Sequence, residues 1–295
     1  MVEKSDRIKL LPPDALKNKS LGISASDSPD LDKLGLSDIH FRMTLGELTR
    51  TVIVAGGLLY YGGDLRPEGI TPFLIEELHR YGRRDRPLKV CLAWTIHRSM
   101  SAEEITEKKK LLGLFGEIYL LSLDGKRLEE IAYEPPQQIF TSEERAISFS
   151  GLRTFMADNT NARIVLGGER EGFQGSMPGI FEEVLLSLER RQALYLAGGF
   201  GGATLDVIRT LRSSDAKWFP SLQDQLSSDG LAAKGLEEIN TTAAAMKWDG
   251  YENGLSNEEN SLLAASYRSS EIAALVGRGL GNYKNEAETV SSKTQ

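Results

Sequence analysis

The sequence predicts an α/β fold, a doubly wound parallel sheet of about six or seven strands with a C-terminal helical extension. Three observations predict it. Short apolar runs alternate with stretches of helical period from residue 20 to about 213. Each run is followed by small or polar residues, and beyond residue 220 only helical signals occur. That order implies parallel strands joined by crossover helices.

The strands are expected at 20–24, 58–61, 88–94, 117–122, 163–166 and 193–197. Between the first two, Phe41, Leu45, Leu48 and Val52 recur on one face behind Ser37 as N-cap, which predicts a core-facing helix. Thr71-Pro72 opens the next helix. Ser101 with Glu104 forms a capping box before Ile105, Leu112 and Phe115, and Thr141-Ser142 precedes a helix through Phe155. Pro178 suits the first turn of a helix whose Phe181, Val184, Leu185 and Leu188 share a face. Ala203, Val207, Ile208 and Leu211 do the same after the sixth strand. Three further helical stretches are expected at 221–228, 231–247 and 257–276. Gly277-Arg278-Gly279-Leu280-Gly281 reads as a helix terminus. The chain therefore divides into an arm at 1–19, an α/β domain at 20–219, a helical extension at 220–281 and a polar tail at 282–295.

Composition narrows the function classes. The 295 residues are 40% hydrophobic and 26% charged, as in an ordinary globular protein able to bury a full core. The densest apolar stretch, 51–61, is interrupted by Gly56 and Gly57, so no membrane span is expected. The first twenty residues lack the apolar block of a signal peptide and Cys91 stands alone, so a cytoplasmic chain without disulfides is expected. A net charge of -7, from 42 acids against 35 Lys and Arg, argues against coating nucleic acid. His40, His79 and His97 are scattered, with no i, i+4 pair, so neither a metal site nor histidine catalysis is expected and no cofactor is required.

The informative pattern is positional. Ser24-Ala25-Ser26, Gly62-Gly63, Gly167-Gly168 and Gly198-Gly199-Phe200-Gly201-Gly202 each follow a strand directly. In a parallel sheet all these exits lie on one edge, where ligands bind close to the reversal of strand order. Glycine lets backbone N–H groups approach a phosphate, and a helix N-terminus adds positive charge without any lysine. Four such exits can converge on one phosphate-binding pocket. The G-x-x-x-x-G-K-[ST] loop and the G-x-G-x-x-G fingerprint are both missing. Asp64 and Arg66 follow the second exit, and Glu169, Arg170 and Glu171 the third. Arginine fits a diphosphate and a carboxylate fits ribose hydroxyls, although Asp64 and Arg66 can equally pair with each other. Phe200 can stack on a base or plug the sheet edge. Gly172, Gly175 and Gly179 suggest a loop that closes over a ligand.

These segments together, from Leu21-Gly22-Ile23-Ser24-Ala25-Ser26 through Tyr195-Leu196-Ala197-Gly198-Gly199-Phe200-Gly201-Gly202, resemble the SLOG superfamily over about residues 20–213. That group is Rossmann-like and includes the LOG phosphoribohydrolases, the DprA proteins and the nucleotide-sensing domains of TRPM channels and of bacterial TIR- and sirtuin-associated defence systems. The resemblance is closest to the defence-associated branch. It implies a sensor for a nucleotide-derived ligand, ADP-ribose or a cyclic relative, acting through homo-oligomers or a separate effector protein. The LOG enzymes carry P-G-G-x-G-T-x-x-E. Here the pattern reads Ala197-Gly198-Gly199-Phe200-Gly201-Gly202-Ala203-Thr204-Leu205, with leucine at the acid, and Asp206 lies one place later, about 100° around the helix. The rival reading is a nucleotide N-glycosidase in which Glu169 or Glu182, with Glu183 beside it, replaces that acid. Glu182 and Glu183 are also favoured at a helix start by the dipole alone. The ligand-binding set is therefore Ser24, Ser26, Gly62, Gly63, Asp64, Arg66, Gly167, Gly168, Arg170, Gly198, Gly199, Phe200, Gly201 and Gly202.

Overall fold

In the computed structural model, six parallel strands form one sheet: β1 (Ser20–Ser26), β2 (Leu58–Gly62), β3 (Leu88–Leu92), β4 (Gly116–Leu120), β5 (Ala162–Gly167) and β6 (Ala193–Ala197). The structure describes residues 12, 14–63, 65, 69–81, 84–129, 135–173, 175–219, 230–248 and 252–284. The strand order is β4-β3-β2-β1-β5-β6, so the direction of winding reverses between β1 and β5. There the register aligns Ser24 with Val165 and Ser26 with Gly167, which puts both strand exits at the switch point. The central strands are apolar because both faces are covered, and every residue of β5 is buried, Arg163 included.

The helices are α1 (Asp38–Val54), α2 (Ile70–Tyr81), α3 (Trp94–Arg98), α4 (Ala102–Leu112), α5 (Ser142–Asp158), α6 (Gly179–Glu189), α7 (Gly202–Leu211), α8 (Gly230–Ala245), α9 (Asn257–Ala265) and α10 (Ser269–Asn282). Phe41, Leu45, Leu48 and Val52 of α1 enter a core with Leu21, Ile23 and Leu59. Ile272, Leu275, Val276 and Leu280 of α10 join that same core, so the last helices are continuous with the sheet packing. On the opposite face, α6, α7 and α8 cover Val165, Leu194 and Leu196, while Leu152 and Met156 of α5 cover Tyr60 and Cys91. The expected capping box forms, with Ser101 Oγ accepting from the Glu104 N–H and the Glu104 carboxylate accepting from the Ser101 N–H, and the structure adds a second box between Thr141 and Glu144.

Three expectations change. The third strand ends at Leu92, and Trp94 begins the short α3, where the Thr95 N–H donates to Ser148 Oγ at 3.1 Å. The single helix expected at 257–276 is two, because Ser266 is extended. Its hydroxyl accepts from the Arg268 N–H at 3.1 Å and donates to Glu271 at 2.5 Å, a local bonding pattern that competes with helix. The run 277–281 lies inside α10, which continues to Asn282. The expected helix at 221–228 falls outside the described residues.

Candidate functional site

A cleft of about 340 Å³ opens at the carboxyl edge of β1 and β2, beside the switch point. It is lined by Ser24, Ala25, Ser26, Gly62 and Gly63 at the strand exits, by Phe149, Leu152 and Arg153 of α5 and by Gly179, Ile180 and Glu183 of α6. Glu169, Gly172 and Phe173 border it from the loop after β5. The volume falls at the lower end of the ~300 to 1,000 Å³ usual for small-molecule sites.

The charged groups around the cleft are mutually arranged. Arg153 hydrogen-bonds Glu182 through Nη1, and its Nε is 4.0 Å from Glu183. Arg163, fully buried on β5, donates through Nη1 to Ser24 Oγ at 2.7 Å and through Nε to Ser187 Oγ at 2.9 Å. Burial holds the Arg163 guanidinium below its ordinary value; the charge of Glu183 opposes this and those of Arg153 and Arg190 reinforce it. Glu169 and Glu183 both line the cleft, whereas Glu182 is committed to Arg153.

The fourth glycine-rich exit has a different fate. Gly198–Phe200 is one 3-10 turn leading into α7, and none of residues 198–202 lines the cleft. Gly199 lies against the Ser266 carbonyl, where a Cβ would have no room. At the head of α7, the Gly202 N–H donates to Asp30 Oδ2 at 2.8 Å, so a carboxylate of the chain itself occupies the position an anion would take. Arg170 closes the arrangement. Its Nη1 is 2.8 Å from Asp30, its Nε donates to Asp206 at 2.6 Å, and its Nη2 donates to the Gly202 carbonyl at 3.1 Å. Burial alone would lower the Arg170 pKa, but the Asp206 hydrogen bond and the charges of Asp206 and Asp30 hold it above its ordinary value. Phe200 is completely buried, edge-on to Phe41 at 5.7 Å, and plugs the sheet edge. Leu205 and Asp206 are both buried in α7.

A parallel sheet in this order, with the broken glycine motif leading into α7, agrees with the family model described as SLOG cluster2, which matches residues 15–263. The chain belongs to this SLOG family. No curated protein and no solved structure matches it. SLOG membership points to binding or processing of nucleotide-related molecules. Among the described residues, no helix is long and apolar enough to cross a membrane and no group of three or more His, Cys, Asp or Glu is placed to hold a metal ion.

Of the sequence-derived site residues, the structure brings Ser24, Ser26, Gly62, Gly63 and Glu169 to one cleft. Gly167 and Gly168 pack behind it, against Ser26 and Ile180 respectively. Gly198, Gly199, Phe200, Gly201, Gly202 and Arg170 belong to the filled turn. Asp64 and Arg66 lie outside the described residues. Sequence reasoning passed over Arg153 and Arg163. For Arg163 a signal was present, since a lone arginine in the apolar run Ala162-Arg163-Ile164-Val165-Leu166 must find a buried partner.

Proposed function

We propose that the cleft receives a nucleotide-derived ligand, ADP-ribose or a cyclic relative, and that the protein senses this ligand without cleaving it. The observation that carries the reading is the state of α7. Leu205 stands where the LOG pattern has its acid and is fully buried, and Asp206 is held by Arg170 at 2.6 Å and Arg209 at 3.2 Å. That helix offers the cleft no carboxylate. In the cleft itself, Glu169 is suited to ribose hydroxyls and Ser24 and Ser26 to polar groups of the ligand. The binding signal passes to further copies of the chain or to a separate effector in a cytoplasmic defence or signalling system. Ile39 and Met43, one turn apart on α1 and both more than half exposed, support a self-assembly surface.

One observation favours the rival N-glycosidase: Glu169 and Glu183 both border the cleft, and cleavage of a ribosyl C–N bond needs a carboxylate near the anomeric carbon. Mass spectrometry of small molecules that co-purify, with calorimetry on ADP-ribose and cyclic ADP-ribose, tests the choice. The expected result is an intact nucleotide retained and bound stoichiometrically. Free base and ribose phosphate accumulating with time would overturn the sensor in favour of the enzyme.

A further inference from the structure

Arg163 is short of negative charge. It stands opposite Gly22 in the register of β1 and β5, and its side chain runs toward the carboxyl edge of the sheet, ending beneath Ser24, two residues further on. It is completely buried, yet two of its three hydrogen-bonding nitrogens meet only hydroxyls, those of Ser24 and Ser187, and Nη2 has no partner. The carboxylate of Glu183 is 4.0 Å from Nη1 and is shared with Arg153. A guanidinium removed from water in this way is costly unless an anion comes near. The cleft is where one can, because Ser24 and Glu183, the groups at the end of Arg163, both line it.

Apart from the Glu183 carboxylate, flanked at 4.0 Å by Arg153 and Arg163, the groups facing that point are donors. Ser24 Oγ accepts from Arg163, which leaves the Ser24 hydrogen free to donate into the cleft. At the same cleft α6 begins, eleven residues long, with Pro178 as an N-cap that supplies no side-chain hydrogen bond. Gly179 and Ile180, its first two residues, line the cleft, and N–H groups at these positions have no partner within a helix. The Arg153 guanidinium lies over Gly179 so closely that a Cβ there would come within 2.6 Å of Nη2.

The geometry points to a phosphate seat made by the Ser24 hydroxyl, the Gly179 and Ile180 N–H groups and Arg153, with Arg163 as the buried positioning residue that fixes Ser24 and supplies charge behind it. The inference rests on reading the cleft as a nucleotide receptor, and it assigns the ligand's phosphate to the head of α6. The head of α7 is already filled by Asp30.

The test follows backbone amide signals of the intact protein during titration with inorganic phosphate, AMP and adenosine. Phosphate and AMP should shift Gly179 and Ile180, and AMP should bind at least about tenfold more tightly than adenosine. Ser24→Ala should lower AMP affinity about tenfold and leave adenosine unchanged. Arg163→Met should do the same, and Arg163→Lys, which keeps a positive charge, should recover part of the loss; a purely structural role for Arg163 would weaken both ligands alike. AMP binding to Ser24→Ala as tightly as to wild type, or phosphate shifting Gly202 and Ala203 instead, overturns the seat. Phosphate shifts at Gly179 and Ile180 without any nucleotide binding uphold the seat and sink the nucleotide reading. AMP and adenosine binding equally well do the reverse.

Discussion

The exits of β1 and β2 and the exit of β6 begin with the same sequence chemistry, small residues directly after a parallel strand, yet the first pair borders an open cleft and the other is packed solid. At the β6 exit the space that glycine creates is taken by Asp30, by the Ser266 carbonyl and by the Arg170 guanidinium. At the β1 and β2 exits, the surrounding charges of Arg153, Glu182 and Glu183 satisfy one another around the rim. Small residues at a strand end make room for backbone donors. Whether a ligand can use the room depends on what distant parts of the chain place there.

The largest effect that can break this comparison is expected from Arg170→Met. The substitution leaves the buried carboxylates of Asp30 and Asp206 without their shared cation, and removing one partner of a buried ion pair costs about 3 to 5 kcal/mol. Urea unfolding followed by circular dichroism measures it. A loss below about 1 kcal/mol would mean that water reaches the α7 head, and the turn would then be available to a ligand after all.

Gly199→Ala is expected to cost less, about 1 to 3 kcal/mol, as an overpacked site does. The new methyl group runs into the Ser266 carbonyl, so the segment joining α9 and α10 must move. The folded protein should bind its ligand as before, because this turn does not border the cleft. Unchanged thermal stability together with lost ligand affinity would restore the turn as a binding element and erase the contrast between the two exits.

Much of the architecture was legible because its causes are local. Apolar runs bounded by small residues marked all six strands, and Ser101 with Glu104 marked a helix start through bonds that span three residues. Ser24, Ser26, Gly62 and Gly63 could be grouped because a parallel sheet collects its strand exits on one edge. The filling of the β6 exit was not legible. Asp30 lies in a loop with no local mark, and its bond to Gly202 spans 172 residues. The break at Ser266 was hidden inside a run of helical period, since only the side-chain bonds to Arg268 and Glu271 interrupt it.

The smallest effect on stability, and the one that says most about the open exit, is expected from Glu169→Gln. Glu169 is exposed at the border of the cleft, so exchanging its carboxylate for an amide should change unfolding free energy by less than about 0.5 kcal/mol. Any consequence must then appear in the ligand. If the protein senses a ribose-containing molecule, replacing a charged acceptor by a neutral one weakens the bond to a ribose hydroxyl by about 1 kcal/mol, roughly a fivefold loss of affinity. If it hydrolyses that molecule, the same change removes charge needed beside a ribosyl cation, and base release should fall by a factor of ~100 or more with affinity largely retained. Calorimetry and a free-base assay on the same two proteins separate the outcomes, and affinity and base release both unchanged would remove Glu169 from the site and leave Glu183 as the carboxylate bordering the cleft.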